Sequence, residues 1–354
     1  MQATETAEPS ALPERVRIVD LAAQLGLTKG TVSRALNDHP DISDRTRLRV
    51  RKAAEKLGYR PLSHAQAIRT GRVRSLGLVL QVNEHDAHRP FVAEFLAGLS
   101  QAASAEDWTL TVATAGSDEQ TLDLLDRLTV EKKADGFILP RTKLHDPRID
   151  FLRTRGVPFV LYGRTEDAGG CAWFDIESEK SIEDAVMLLA GLDHKRIGFV
   201  PGADGYSYAK LRHDGYLAGL ARSGLSHDTQ LIAPPAMGRD AGAAAAAILL
   251  DLPHPPSAIV CSVDAAALGV YDAARHRGLK IGTDLSVISY DGIPETTLLD
   301  PPLSTYRVDT RAAGARLAEL LIKRCRGAPP EDLRELGRAA FRSRGSHGVA
   351  PAKA

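Results

Sequence analysis

The chain is short of cysteine, of aromatic residues and of long apolar runs, and each shortage removes a class of protein. Among its 354 residues there are three cysteines, Cys171, Cys261 and Cys325. They lie far apart and form no C-x-x-C, which excludes a disulfide framework and a zinc finger and suits a reducing cytoplasm. No apolar stretch reaches about 18 residues, so no membrane span and no membrane partner are expected. Residues 1–14 are polar and acidic without the apolar centre of a secretory signal, and read as a disordered tail. H-E-x-x-H, G-x-S-x-G and P-loop patterns are missing, and no nucleophile and base stand at a motif spacing. An enzyme is therefore not expected, nor a cofactor or a metal. The run Asn83-Glu84-His85-Asp86-Ala87-His88 carries metal-ligating types, but it follows an apolar strand and reads as a polar loop.

Net charge is absent too, yet its distribution is uneven. Residues 15–74 hold 14 Lys+Arg against 5 Asp+Glu, while the whole chain balances 45 against 45. A basic first sixth on an acidic remainder points to one part for a polyanion and another for a different partner.

Within the basic part, Leu21, Ala22 and Leu25 share one face of a short helix, and Gly26 stands where a helix end favours a left-handed residue. Thr28 can cap a second helix with Val32, Ala35 and Leu36 inside. Lys29, Gly30, Thr31, Ser33 and Arg34 fall near its start or on its outer face. This is the pattern of a helix-turn-helix, whose second helix reads the DNA major groove; an ordinary helical hairpin shares it. Ser43 caps a third helix through Leu48, Val50, Ala53, Ala54 and Leu57, which Gly58 stops. Its Arg45, Arg47, Arg49, Arg51 and Lys52 suit phosphate contacts that fix register on a duplex.

From Ser75 the pattern changes. Short apolar runs at 76–80, 110–113, 136–139, 158–162, 173–176, 196–200, 258–261, 286–290 and near 339–342 alternate with helical stretches at 91–106, 118–129, 178–189, 208–223, 239–250, 265–278 and 310–326. Such alternation builds doubly wound parallel sheets, here in two α/β lobes with a cleft between them.

These residues resemble the lactose-repressor/galactose-repressor (LacI/GalR) family of bacterial transcription regulators. The resemblance runs from about Val16 to about Arg342. It is carried by Thr31-Val32-Ser33-Arg34-Ala35-Leu36-Asn37, Ala54-Glu55-Lys56-Leu57-Gly58-Tyr59-Arg60-Pro61, Arg69-Thr70-Gly71, Arg212-His213-Asp214-Gly215-Tyr216 and Val287-Ile288-Ser289-Tyr290-Asp291-Gly292-Ile293-Pro294. It implies an all-α helix-turn-helix headpiece over 15–60, a hinge helix over 61–74, and a periplasmic-binding-protein-like α/β core over 75–345. Lobe one is expected over about 75–177 plus 305–328, and lobe two over about 178–304 plus 329–345. It also implies a cytoplasmic homodimer on a near-palindromic operator, most simply a repressor of carbohydrate genes released by a mono- or disaccharide effector. A corepressor such as a purine, or a sugar-binding transport protein, are the alternatives.

By position the resemblance assigns DNA contacts to Lys29, Gly30, Thr31, Ser33, Arg34, Asn37 and Tyr59, with Ile68 as the apolar wedge in the minor groove. Asn37 could instead cap its helix, and Ile68 could pack on a dimer mate. In the cleft Arg212 would donate to effector hydroxyls, or else pair with Asp214. Asp291, at a strand's C-terminal end, would accept from vicinal hydroxyls, or else serve a turn. Asp264 would touch the effector or cap its helix. Trp173 is the first choice to stack on a sugar ring; Phe91, Phe174, Tyr206 and Tyr208 are others, and Arg164 is a further polar candidate. No basic cluster stands near these positions to favour a phosphorylated effector.

Overall fold

The computed structural model describes residues 16–59, 71–81, 89–166 and 169–352. The chain divides at Val73/Arg74 into two compact units.

The first unit holds three helices, α1 (Ile18–Leu25), α2 (Lys29–Leu36) and α3 (Asp44–Leu57). Gly26 ends α1 at φ 66°, and Gly58 ends α3 at φ 64°. Each lets the chain reverse in a conformation that a Cβ would strain. Thr28 Oγ1 accepts from Thr31 N at 3.1 Å, and Ser43 Oγ from Thr46 N at 3.3 Å. Such caps satisfy helix donors that otherwise face no partner. Leu21, Val32, Ala35 and Val50 are fully buried at the centre. Leu48, one of the apolar residues along the third helix, is 57% exposed. At about 100° per residue it stands roughly 200° around the helix from Val50, so the two cannot share the inner face. The tail and residues 60–70 of the hinge region, with Pro61, Leu62, Ala65 and Ile68, lie outside the described residues, as does the loop at 82–88.

The second unit is two lobes. Lobe one has a six-stranded parallel sheet in the order β10-β5-β4-β3-β1-β2. These are β1 (Ser75–Gln81), β2 (Thr109–Ala115), β3 (Gly136–Leu139), β4 (Phe159–Tyr162), β5 (Ala172–Ile176) and β10 (Arg334–Gly337). Helices α4 (Arg89–Ala105) and α11 (Thr310–Cys325) belong with one face, where Phe95, Leu99, Leu317 and Leu321 pack on Leu76 and Leu78. Helices α5 (Asp118–Val130) and α6 (Pro147–Thr154) cover the other through Leu125, Leu128, Ile149 and Leu152. Lobe two has the order β11-β9-β8-β7-β6. Its strands are β6 (Ile197–Val200), β7 (Ala258–Cys261), β8 (Ser286–Asp291), β9 (Ser304–Arg307) and the antiparallel β11 (Ala340–Arg342). Helices α7 (Ser178–Gly191) and α8 (Ser207–Arg222) pack on one face, and α9 (Arg239–Leu250) and α10 (Asp264–His276) on the other. Layers of helix on both faces explain the continuous apolar strands.

Two expected boundaries move. Ser304–Arg307 pairs with β8 and belongs to lobe two, although lobe one was expected to resume at 305. Arg334–Gly337 pairs in parallel with Trp173–Ile176 and completes lobe one, although 329–345 was assigned to lobe two. The chain therefore returns to lobe two after Gly337. Both strands, and helix α6, escaped the sequence reading; β10 is a half-exposed edge of R-E-L-G with no apolar run.

Helices α9 and α10 meet through glycine. A Cβ at Gly269 would sit 1.9 Å from the Arg239 carbonyl oxygen, and one at Gly242 would sit 2.1 Å from that of Ala266. Gly269→Ala is expected to part the helices and cost about 1–3 kcal/mol, read as a lower urea midpoint. Gly191→Ala, with open space around it, should leave the midpoint unchanged or raise it.

Candidate functional site

On the headpiece, Lys29, Gly30 and Arg34 are exposed along α2, and Thr31 and Ser33 are half-buried beside them. Val32 and Ala35 turn inward and fix which face is offered. The Lys29 side chain makes no ion pair or hydrogen bond among the described residues. Arg34 pairs with Asp41 at 2.7 Å, both about half exposed. A surface pair of this kind is worth about 0–1 kcal/mol, little enough for a phosphate to displace it. Asn37 Nδ2 donates to the Ser33 carbonyl at 2.5 Å, so the helix end already occupies its amide. Tyr59 packs on the headpiece core.

The α3 cations divide in two. Arg47 donates twice to the Ile42 carbonyl, at 3.1 and 2.7 Å, and Arg49 donates to that of Leu25. Arg51 pairs with Asp38 at 2.5 Å. These three tie helices and turns together rather than standing ready for phosphate. Arg45 and Lys52 remain exposed without such ties among the described residues.

In the core, a cavity of about 430 Å³ opens between the two lobes. Its floor is chain that passes from lobe to lobe: Asp175, Ile176 and Ser178 at one crossing, Arg307, Val308 and Thr310 at another. Strand C-terminal ends supply Tyr162, Tyr290 and Asp291. One side is pinned by main chain. Leu144 N donates to the Gly205 carbonyl at 2.9 Å, and Ser207 N to that of Thr142 at 3.0 Å, around an antiparallel bridge of Lys143 with Tyr206.

Arg212 projects from α8 and is 8% exposed. Its guanidinium lies 3.9 Å from the Tyr290 ring centre and 4.8 Å from that of Tyr208. Nη1 donates to the Ser262 carbonyl at 2.6 Å, while Nη2 stays 3.7 Å from Asp291, too far for a hydrogen bond. Buried Nε of Arg212 and Oγ of Ser207 have no protein partner. Unpaired buried polar groups are costly, and in a cavity wall they mark where ligand polar groups complete the set. Asp214 is taken by Lys210 at 2.9 Å, which disposes of the alternative pairing with Arg212.

Burial raises the Asp291 carboxyl above its ordinary range, against the opposing pull of Arg212. Burial likewise raises Asp175, against Arg164. Arg164 lines the cavity and is neutralised there, with Nε on Asp175 and Nη2 on Glu179, each at 2.7 Å. Four arginines, Arg141, Arg164, Arg212 and Arg307, therefore line a cavity where no basic cluster was expected, and two of them, Arg164 and Arg212, are set against acids.

Three expected contacts go elsewhere. Trp173 packs in the lobe-one core and is outside the cavity wall, because it stands near the start of β5 while the cavity opens at the strand's C-terminal end, where Asp175 and Ile176 lie. Asp264 is fully buried behind the wall and holds the main chain at 292–293. Tyr206 backs Tyr208 as a stacked ring at 5.7 Å without lining the cavity. Phe174 packs in the cores of the lobes, and the Phe91 side chain lies outside the described residues. The aromatic wall is Tyr162, Tyr208 and Tyr290 instead. Tyr162 and Tyr290 end apolar strands, the one signal that could have singled them out.

Among the described residues, no cluster of three or more His, Cys, Asp or Glu could hold a metal, and no helix is long and apolar enough to cross a membrane.

Comparison with known proteins agrees with this division. Residues 17–62 match the model of bacterial regulatory proteins of the lacI family, and residues 186–346 match that of the periplasmic binding protein-like domain. The chain is 36% identical to the HTH-type transcriptional regulator AglR of Rhizobium meliloti (strain 1021), over 95% of each. It is 31% identical to the HTH-type transcriptional repressor CytR of Escherichia coli (strain K12), over 87% of this chain and 89% of that one. Among solved structures, the transcriptional regulator CelR in complex with cellobiose aligns with a TM-score of 0.72 and 27% identity, covering 94% of this chain and all of that one.

Removing the cation beside a raised carboxyl gives a signed prediction. Without Arg212, Asp291 titrates still higher, so its share of stability is present in acid and lost as pH rises through the folded value. Arg212→Met is expected to lower the urea midpoint more at pH 8 than at pH 5, the difference amounting to about 1–2 kcal/mol. An equal loss at both values would refute the coupling.

Proposed function

Because the chain belongs to the lacI family of bacterial regulatory proteins, we propose that this DNA-binding transcriptional regulator represses carbohydrate-utilisation genes and leaves its operator when a neutral mono- or disaccharide fills the cavity of the core. The observation that carries the reading is Arg212, held beside Asp291 at 3.7 Å with an unpartnered Nε. A guanidinium edge and a carboxylate set side by side suit paired hydroxyls, one accepting and one donating. Tyrosine rings beside them offer apolar faces to a pyranose. The complex of CelR with cellobiose supports the sugar class.

The protein is a regulator and not an enzyme. It acts in the cytoplasm as a homodimer on a near-palindromic site, since two-fold symmetry in the protein calls for the same in the DNA. Lys29 and Gly30 select the half-site: a Lys can donate to guanine O6 and N7, and the bare Gly30 leaves room for a thymine methyl. Sugar binding shifts the balance between lobe arrangements by as much as its affinities for them differ, and operator affinity changes by that coupling.

Two experiments test this. A thermal-shift screen of glucose, galactose, maltose, cellobiose, trehalose and raffinose should give a hit that Arg212→Ala and Asp291→Ala each abolish. Retention in both variants would refute the site. Tighter operator binding with the hit sugar would replace the inducer reading by a corepressor one. For the headpiece, neutralising about six phosphates predicts a slope near −5 in log K against log[salt], and a flat response would sink the DNA contact.

A further inference from the structure

Asp264 opens α10 and is completely buried, yet it does not reach the cavity. Nor does it cap its own helix, whose N-cap is Val263. Oδ2 accepts from Gly292 N at 2.6 Å and from Ile293 N at 2.9 Å, and Oδ1 accepts from the Thr305 hydroxyl at 2.7 Å. What this carboxylate grips is the bend directly after Asp291.

The sheet holds that bend on one side only, where Val308 N donates to the Asp291 carbonyl at 3.1 Å. Asp291 sits at φ 127° and Gly292 at φ 82°. The first is a conformation that a residue with a side chain rarely adopts. Position 292 has no side chain to lend, and a Cβ there would lie 2.5 Å from Arg307 Cγ. Arg212 is too far from Asp291 to fix it by a hydrogen bond. Two successive amides pointing at one buried oxygen add a restraint on the far side of the bend, and the Asp264 main chain itself hydrogen-bonds the Asp291 carboxylate.

We propose that Asp264 is a positioning residue for ligand recognition: by gripping the Gly292 and Ile293 amides from behind, it holds Asp291 in its strained backbone and keeps that carboxylate in the cavity wall opposite Arg212. The inference rests on the cavity being the effector site, but its first test does not.

Asp264 also acts on Asp291 through charge. The groups facing Asp291 are Arg212 and Tyr208 from α8, Asp264 from α10, Arg141 from the loop after β3, Tyr162 from β4, Tyr290 from its own strand and Arg307 from β9. Burial raises both carboxyls, Asp264 to about 6 and Asp291 to about 7, and the Asp264 charge adds to the rise at Asp291. Both are raised in the folded chain. Their contribution to stability is therefore present below the ordinary carboxylate range and lost as pH climbs through those values.

The first test needs no sugar. Thermal unfolding of the full chain is followed from pH 5 to pH 8 for the parent, Asp264→Asn, Asp291→Asn and the double variant. The amide in Asp264→Asn keeps an oxygen for the two main-chain donors and can donate to Thr305, so the bend persists while the charge goes. The part of the pH dependence that Asp291→Asn removes should lie about half a pH unit lower, or more, in the Asp264→Asn background. An identical position in both backgrounds overturns the electrostatic half of the proposal.

The second test titrates the sugar that gives the largest shift in the six-sugar panel. Asp264→Ala should weaken it about tenfold or more, Asp264→Asn at pH 8 by less than about threefold, and Thr305→Val to an intermediate degree. Parent-like affinity in Asp264→Ala overturns the positioning role. Should Asp264→Ala fail to fold, Thr305→Val measured against Asp264→Asn decides instead: parent-like affinity in Thr305→Val overturns the role. If no panel sugar binds the parent, the sugar reading falls and the pH measurement alone decides the coupling.

Discussion

The core depends on one constraint of chain path: neither lobe is finished by a continuous stretch. Lobe one lacks its edge strand until Arg334–Gly337 returns to β5, and lobe two lacks β11 until the chain has come back to it after that strand. The price of that arrangement is entropic, since ends far apart in sequence must be brought together. Its return is mechanical. The crossings run along the bottom of the cavity, so Ile176, Ser178, Val308 and Thr310 belong at once to the ligand wall and to the joints on which the lobes turn. A ligand that presses on the floor acts on the joint without an intermediary.

Charge is managed in the same place. Arg164 is held between two acids, whereas Arg212 is sandwiched by tyrosine rings and kept just out of reach of Asp291. The first arrangement pairs the guanidinium on both sides and leaves Glu179 Oε2 without a partner. The second leaves a donor and an acceptor underused inside a low-dielectric wall, where a partner gains most. The strained backbone of Asp291 lies in the same wall, and a buried acid grips the main chain directly after it.

The helix-turn-helix was legible because caps, glycine stops and apolar spacing all agreed, from Thr28 and Gly26 to Ser43 and Gly58. The apolar strands of both sheets were legible from their runs, whereas the buried S-T-Y-R of β9 was not. What escaped was whatever depends on tertiary partners. Arg334–Gly337 is a strand by virtue of what lies beside it, and its own residues show no period. The α3 arginines look alike in sequence, and only the fold divides Arg47, Arg49 and Arg51, which tie the headpiece, from Arg45 and Lys52. In the cleft, Arg212, Asp291 and Arg164 were found from type and position. Trp173 was misjudged by its place near the start of its strand rather than at the end that meets the cavity, and Asp264 by its depth. Tyr162 and Tyr290 passed as core residues because their strands read as core throughout.

The main-chain clasp around Lys143 and Tyr206 has a consequence for how such a protein can change. Its two hydrogen bonds use amides and carbonyls alone, so they do not depend on which side chains stand at 142–144 or 205–207. Thr142, Ser207 and Tyr208 face the cavity from those same segments or the turn beside them. Substitutions there can alter what the cavity accepts while the lobes keep their hold on one another. New ligand preferences are thereby open to this scaffold by single steps, without a new way of closing having to arise each time.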